Sequence, residues 1–411
     1  MQALFTSHRE ATSAWLNNGE AMLLFAGKAI KSTADETHEF RINKNFYYFT
    51  GLKREAFIAA IYKLNDRLET ILFIERPNYD VEKWYGRKLS IETAKSISGI
   101  DVVKYLEDFL PWLNKMFCDG KLESLWLDLE KLNWDEMDSY ALNFAKDVQS
   151  KYPFVKIKTF HPKVAEMRMI KADSEVDLIN EAIHKTHIGL NAILKALMPN
   201  ILESQLDNVF QYHIKSEGAE GLAFPTIAAS GDNGVILHYV ENDQLMKENQ
   251  LVLLDLGAKY KGYCSDITRT YPVSGKFTKR QADIYNIVLK AQKATIEAMK
   301  PGTPFERLND VCKQTLTEEL KNIGLIKRDE ELGRYYYHGV SHHLGLDVHD
   351  ISNREIALKP GMVLTVEPGL YIAEEGIGIR IEDDVLITET GNIVLSSEIP
   401  KEIDDIESLM G

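Results

Sequence analysis

Between Leu251 and Pro272 the chain reads LVLLDLGAKYKGYCSDITRTYP, two β-rich runs around a Lys-Tyr-Lys-Gly turn. That is the pattern of an antiparallel hairpin. Each run carries one acid in otherwise apolar surroundings, Asp255 in the first and Asp266 in the second. With the turn centred between Tyr260 and Lys261 the two acids face each other directly. Opposed side chains project from one face with Cβ atoms about 4.5–5.5 Å apart. The plain alternative is a pair of solvated acids on an edge hairpin, but so apolar a segment belongs in an interior. There, two carboxylates repel and coexist only with a counter-charge, most economically a divalent cation.

The plan recurs. Leu178, Ala182, Thr186, Leu190, Ile193 and Leu197 hold helical spacing up to Pro199, and a second helix spans 203–215. A segment at 224–230, a turn at 231–234 and a strand VILHYV (235–240, carrying His238) lead into the hairpin. Helical patterns then return at 279–299 and from Thr303 to about Asn322, followed by a second apolar hairpin, MVLTVEPGLYIAEEGIGIRIEDDVLI. With its turn at Glu374-Glu375-Gly376, Glu367 faces Glu382. Two helices and a hairpin, twice over, suggest a duplicated architecture. Four carboxylates packed together are costly to ionise without counter-charge. Oxygen donors alone suit Mg²⁺, Mn²⁺ or Ca²⁺, and an added imidazole shifts the preference to Mn²⁺, Fe²⁺, Co²⁺ or Zn²⁺.

The segment His338-Gly-Val-Ser-His342-His343-Leu-Gly-Leu-Asp-Val-His349-Asp350 supplies imidazoles. Four of the chain's eleven histidines fall within it. Spacing leaves open which of them ligates. Four carboxylates and one imidazole fit two ions, with a water between them acidified enough to act as a nucleophile near neutral pH.

Composition sets the frame. At 411 residues the chain has room for two domains. A net charge of −14 argues against a nucleic-acid or membrane-surface partner. Cys118, Cys264 and Cys312 are too few and scattered for a disulfide framework and fit a reducing compartment. The start, MQALFTSHREATSAW, lacks the basic residues and long apolar core of a signal peptide, and no run approaches a membrane span, so a cytoplasmic protein is expected.

Residues up to about 160 alternate strand and helix signals, which predicts a smaller α/β domain. Strands are expected at 21–27, 56–62 and 69–74, with an aromatic strand FRINKNFYYFTG over 40–51. Helices are expected over 103–117 and 137–146. WYGRKLS (84–90) reads as a loop with a packed Trp84, and 163–171 as connecting chain.

LDLGAKYKGYCSDITRTYP, HGVSHHLGLDVHD, LTVEPGLYI and IRIEDDVLIT closely resemble the metallopeptidases that include aminopeptidase P, prolidase and methionine aminopeptidase. The resemblance implies an α+β chain: a pita-bread catalytic domain over 163–411 and a smaller α/β domain over 1–162. It implies Asp255, Asp266, His342, Glu367 and Glu382 as ligands of two divalent ions, Mn²⁺ foremost, with Co²⁺ or Zn²⁺ as alternatives. Asp266 and Glu382 would bridge, and Glu367 would also be general base for a metal-bridging hydroxide. His238 and His349 would hold substrate and the tetrahedral intermediate, Arg380 would brace the carboxylates, and Tyr371 would line the pocket. FRINKNFYYFTGL and WYGR resemble the N-terminal domain of aminopeptidase P. This favours the branch that removes the residue before a proline in second position from a peptide, ahead of prolidase, which splits Xaa-Pro dipeptides; the presence of all five ligand residues sets the alternative of a non-catalytic binding protein lower still. The resemblance further implies a homodimer or homotetramer in which Trp84 reaches a neighbouring protomer's site.

Overall fold

The structure, a computed structural model, describes residues 1–411 and divides into Met1–Val164 and Ala165–Gly411. The break lies inside a helix, His161–Met169, where the sequence predicted connecting chain. No helix is long and apolar enough to cross a membrane.

The first unit is a six-stranded mixed sheet. Its strands are β1 (Glu20–Phe25), β2 (Ile58–Leu64), β3 (Arg67–Ile74), β4 (Val102–Tyr105), β5 (Ser124–Leu127) and β6 (Lys156–Thr159), in the order β4-β3-β2-β1-β5-β6. The apolar runs supply one core, in which Leu23, Ala60, Phe73 and Leu125 meet Leu113 and Phe117 from helix Phe109–Cys118. Two readings around this core change. Val102–Tyr105 is strand before that helix begins. The aromatic run is a helix, Lys44–Thr50, in which Phe46, Tyr47, Tyr48 and Phe49 are all buried. A segment buried on every side shows no amphipathic period, so only its caps mark it. The Asn43 side chain accepts from Phe46 N–H, and Gly51 closes the helix at φ +68°. A Cβ on Gly51 would also sit 2.0 Å from the Phe5 ring.

The second unit repeats one plan. Helices Asp173–Ala196 and Glu203–Ser216 precede β7 (Gly221–Leu222), β8 (Ile227–Ser230), β9 (Leu251–Leu256), β10 (Ala258–Tyr260), β11 (Tyr263–Cys264) and β12 (Ile267–Pro272). Helices Lys279–Ala298 and Phe305–Asn322 precede β13 (Val363–Val366), β14 (Gly369–Ile372), β15 (Ile377–Arg380), β16 (Asp383–Ile387) and β17 (Asn392–Val394). Each half contributes a three-stranded antiparallel sheet, β12-β9-β8 and β13-β16-β17. Glu382 N–H donating to Thr268 C=O at 3.0 Å stitches the two together.

The first hairpin turns at Lys261-Gly262, both with positive φ (+45° and +91°), as a two-residue turn of the mirror-image type requires. Its pairing is therefore two residues out from the sequence expectation. Asp255 faces Thr268, not Asp266. A shift of two keeps parity, so Asp266 still projects from the face of Asp255, now diagonally. The second hairpin has the expected register. Gly369 pairs with Arg380 and Val366 with Asp383, which sets Glu367 opposite Glu382 between two paired stretches. The stretch VILHYV is not a strand. Val235, Leu237 and Tyr239 pack inward on Ile227, Ala229 and Leu253, but no ladder partner meets them, and His238 lies in a turn.

Candidate active site

Both halves open on one cleft of about 570 Å³. The first hairpin brings Asp255 and Asp266, the second brings Glu367, Arg380 and Glu382, and His238, His338, His342 and His349 complete the polar wall. Phe224, Pro225, Ile227, Leu237, Val240 and Val348 form an apolar wall.

Ligand atoms of Asp266, His342 and Glu382 lie within 4.8 Å of one another. His342 Nδ1 is 3.1 Å from His343 C=O. A carbonyl only accepts, so Nδ1 carries a proton and Nε2 is the ring nitrogen left to face a metal. Nε2 stands 3.4 Å from Asp266 and 3.6 Å from Glu367. Arg380 is buried and holds three groups at once: Nη2 donates to Asp255 Oδ2 (2.6 Å), Nε to Thr268 Oγ1 (3.2 Å) and Nη1 to Tyr371 Oη (3.0 Å). The Thr268 hydroxyl in turn donates a hydrogen bond to Glu382 Oε2 at 2.7 Å. Tyr371 donates on to His338 Nε2 (2.8 Å), whose Nδ1 is 2.8 Å from Gly339 C=O.

The charges explain the chemistry such a site demands. Burial, then the Asp255, Asp384 and Glu367 charges, raise the Asp266 carboxyl well above the usual range. Burial, then Asp266, Glu367 and Asp255, do the same to Glu382. Burial also raises Glu367, with His342 and Arg380 pulling against it. Asp255 Oδ1 is buried with no hydrogen-bond partner. Crowded carboxylates, an orphaned carboxylate oxygen and an imidazole Nε2 turned toward them form a donor set that fits divalent transition-metal ions. Burial, then the His342 charge, lowers His349 to about 4, and burial, then Arg380, lowers His338 to about 4.

The residues singled out from the sequence do not all meet here. Tyr371 does not line the cleft. It is buried beneath it and acts on Arg380 and His338 through its hydroxyl. Trp84 belongs to the first unit, where it is 84% exposed on helix Tyr79–Tyr85, neither in a loop nor packed. Thr268, Asp384 and Arg354 went unnoticed. Arg354 lines the cleft, and Asp384, fully buried, accepts from Asp266 N–H at 3.2 Å. Thr268 had a signal, since it lies two residues from Asp266 on the same strand face.

A duplicated α+β unit that gathers carboxylates from two hairpins around one imidazole is a metallopeptidase of the pita-bread class. The comparisons agree: metallopeptidase family M24 matches residues 177–389, and the aminopeptidase P N-terminal domain matches residues 5–125. The Xaa-Pro aminopeptidase of Haemophilus influenzae is 34% identical over 99% of this chain and 96% of its own. A Bacillus anthracis structure is 44% identical with TM-score 0.98 over 100% of this chain and 98% of its own. Aminopeptidase P from Escherichia coli with the inhibitor Pro-Leu is 33% identical, with TM-score 0.90 over 100% and 98%. The chain belongs to family M24, among its aminopeptidase P members.

Proposed function

We propose that the chain is an Xaa-Pro aminopeptidase, which hydrolyses the bond before a proline in second position of a peptide. The observation that carries the reading is the convergence of Asp255, Asp266, His342, Glu367 and Glu382 on one cleft. These five would hold two divalent ions, Mn²⁺ foremost, Co²⁺ or Zn²⁺ next. Such ions, when bound, polarise the scissile carbonyl and lower the pKa of water.

The chain's own residues do the rest. Glu367, its carboxyl raised by burial, takes the proton of the attacking water as general base. His349, neutral because burial lowers it to about 4, keeps an N–H for the developing oxyanion, and His238, lining the same cleft, binds the substrate. Arg380 holds Asp255 at 2.6 Å and, through the Thr268 hydroxyl, steadies Glu382. An Xaa-Pro amide has no N–H, so a site for it cannot rely on that donor. The apolar wall supplies a shaped surface for the pyrrolidine ring instead.

Catalysis is assigned to residues 163–411, with 1–162 as a separate domain, a division supported by the two family matches. We further propose a homodimer or homotetramer, with Trp84 extending to a neighbouring protomer's site. Support comes from Tyr79, Trp84 and Tyr85, large apolar side chains exposed on one short helix. Three free cysteines support a reducing, cytoplasmic setting.

The test compares Ala-Pro-Ala with Ala-Pro, each with Mn²⁺ restored after chelation. Release of alanine from the tripeptide is expected. Hydrolysis of the dipeptide alone would move the assignment to prolidase, and cleavage of neither would refute it.

A further inference from the structure

Glu203 opens helix Glu203–Ser216 with 0% exposure. A buried carboxylate persists only if its lone pairs are filled, and here five donors fill them. Oε1 accepts from Ser230 N–H (2.7 Å), Ser230 Oγ (2.6 Å) and Asn233 Nδ2 (3.3 Å). Oε2 accepts from Tyr239 Oη (2.7 Å) and Gln244 N–H (3.1 Å). The Glu203 N–H in turn donates to Gln244 C=O at 3.0 Å. Every partner lies in the segment 230–244, at its start, middle and end.

That segment is the irregular stretch where the sequence suggested a strand, and it carries His238. Past Ser230, the last paired residue of β8, its backbone holds only a 3-10 turn over Gly231–Val235, closed by Ile236 N–H donating to Asn233 C=O at 2.9 Å, and no ladder reaches His238. Asn233 and Tyr239 stand on either side of His238. With Tyr239 turned inward onto Glu203 and 6% exposed, its neighbour His238 is left facing the cleft. Asn242 adds a second tie, accepting from Ala228 N–H (2.9 Å) and donating to Thr226 C=O (2.8 Å). Those two residues flank Ile227, which pairs with Asp255.

We propose that Glu203 is a positioning residue. Its carboxylate clasps the 230–244 loop and sets His238 at the height of the Asp255 carboxylate. This rests on His238 acting on the substrate, as proposed above. A merely structural Glu203 would support the whole unit evenly, whereas a positioning one acts through His238.

The test is a double-mutant cycle with Glu203→Gln and His238→Ala, read as kcat/KM on Ala-Pro-Ala with Mn²⁺ and accompanied by amide hydrogen exchange. A glutamine keeps the size but places an NH₂ against donors. Glu203→Gln is expected to lower kcat/KM by about 10- to 100-fold, the scale of a small misplacement, and by less than about twofold once His238 is alanine. Exchange should quicken in 231–244 and stay slow in 251–272. Equal losses in both backgrounds, an inert His238→Ala, or unchanged exchange in 231–244 would each overturn the proposal. Exchange does not depend on turnover, so it separates failure of the clasp from failure of the peptidase assignment. Should Glu203→Gln not fold, Tyr239→Phe removes one bond of the five and should give the same pattern at smaller amplitude; equal losses there overturn the proposal as well.

Discussion

Arg269→Met is the perturbation whose size the structure defines best. Arg269 is completely buried beside Thr268 on β12. Its guanidinium donates through Nε to Pro400 C=O (3.0 Å) and through Nη1 to the carbonyls of Thr268 (3.0 Å) and Glu382 (2.6 Å). Nη2 reaches Asp383 Oδ1 (2.7 Å) and Ile399 C=O (2.9 Å). One side chain thus ties both hairpins of the site to the C-terminal segment. Methionine replaces the aliphatic stem but stops short of the guanidinium and carries neither charge nor donors. Breaking a buried ion pair by removing one partner costs about 3–5 kcal/mol. Asp383 keeps Gln292 (2.8 Å), Ser396 (2.7 Å) and Lys401 (2.5 Å), so the loss should fall near the lower end. At about 2–4 °C per kcal/mol for a unit of this size, the melting midpoint should drop by about 6–12 °C. The pH profile gives an independent sign. Burial raises the Asp383 carboxyl, but Arg269 and then Lys401 outweigh it and hold it well below the usual range. A folded pKa below the unfolded value of about 3.9 gives stability that is complete above that value and drains as pH falls toward the folded one. In Arg269→Met the folded pKa moves up toward the unfolded one, so the loss from this group still begins near the unfolded value but is smaller, and the gap in stability between wild type and variant should narrow as pH falls. Differential scanning fluorimetry across pH reads both effects. An unchanged midpoint and acid limb would refute the reasoning.

Two further predictions test other parts of the account. Glu367→Gln should lower kcat by about 10²- to 10⁴-fold, the usual share of a general base, with an unaltered circular dichroism spectrum; turnover near wild type would remove Glu367 from that role. Gly378→Ala should destabilise the second unit by about 1–3 kcal/mol or more, because the added Cβ would lie 1.9 Å from the Gly234 carbonyl oxygen; a denaturant midpoint equal to wild type would contradict that close approach.

How far the sequence could be read depended on whether local signals carried the geometry. Glu367 and Glu382 could be paired from sequence because Gly376, at φ +61°, pins the turn between two clear β runs. Asp255 and Asp266 were misaligned by two because several residues of Lys-Tyr-Lys-Gly could have held the turn. The site survived that error because pleating preserves faces in steps of two. The choice of His342 among four histidines was not legible from spacing. It follows from which ring nitrogen is left to face a metal and what surrounds it, both tertiary facts. Thr268 was legible in principle from its alternation with Asp266. Glu203 was not, since a single acid at a helix start looks like ordinary dipole compensation until segment 230–244 folds over it. The aromatic helix Lys44–Thr50 was missed for a related reason, since complete burial erases the periodicity that sequence reading uses.

The central claim, that a diagonal carboxylate pair (Asp255, Asp266), an opposed one (Glu367, Glu382) and His342 form one centre for two divalent ions, is tested most directly by calorimetric titration of the chelated protein with Mn²⁺. Two ions per chain are predicted for the wild type, and Asp266→Asn should bind no more than one tightly. Absence of tight binding in the wild type, or a full complement of two in Asp266→Asn, would contradict the account.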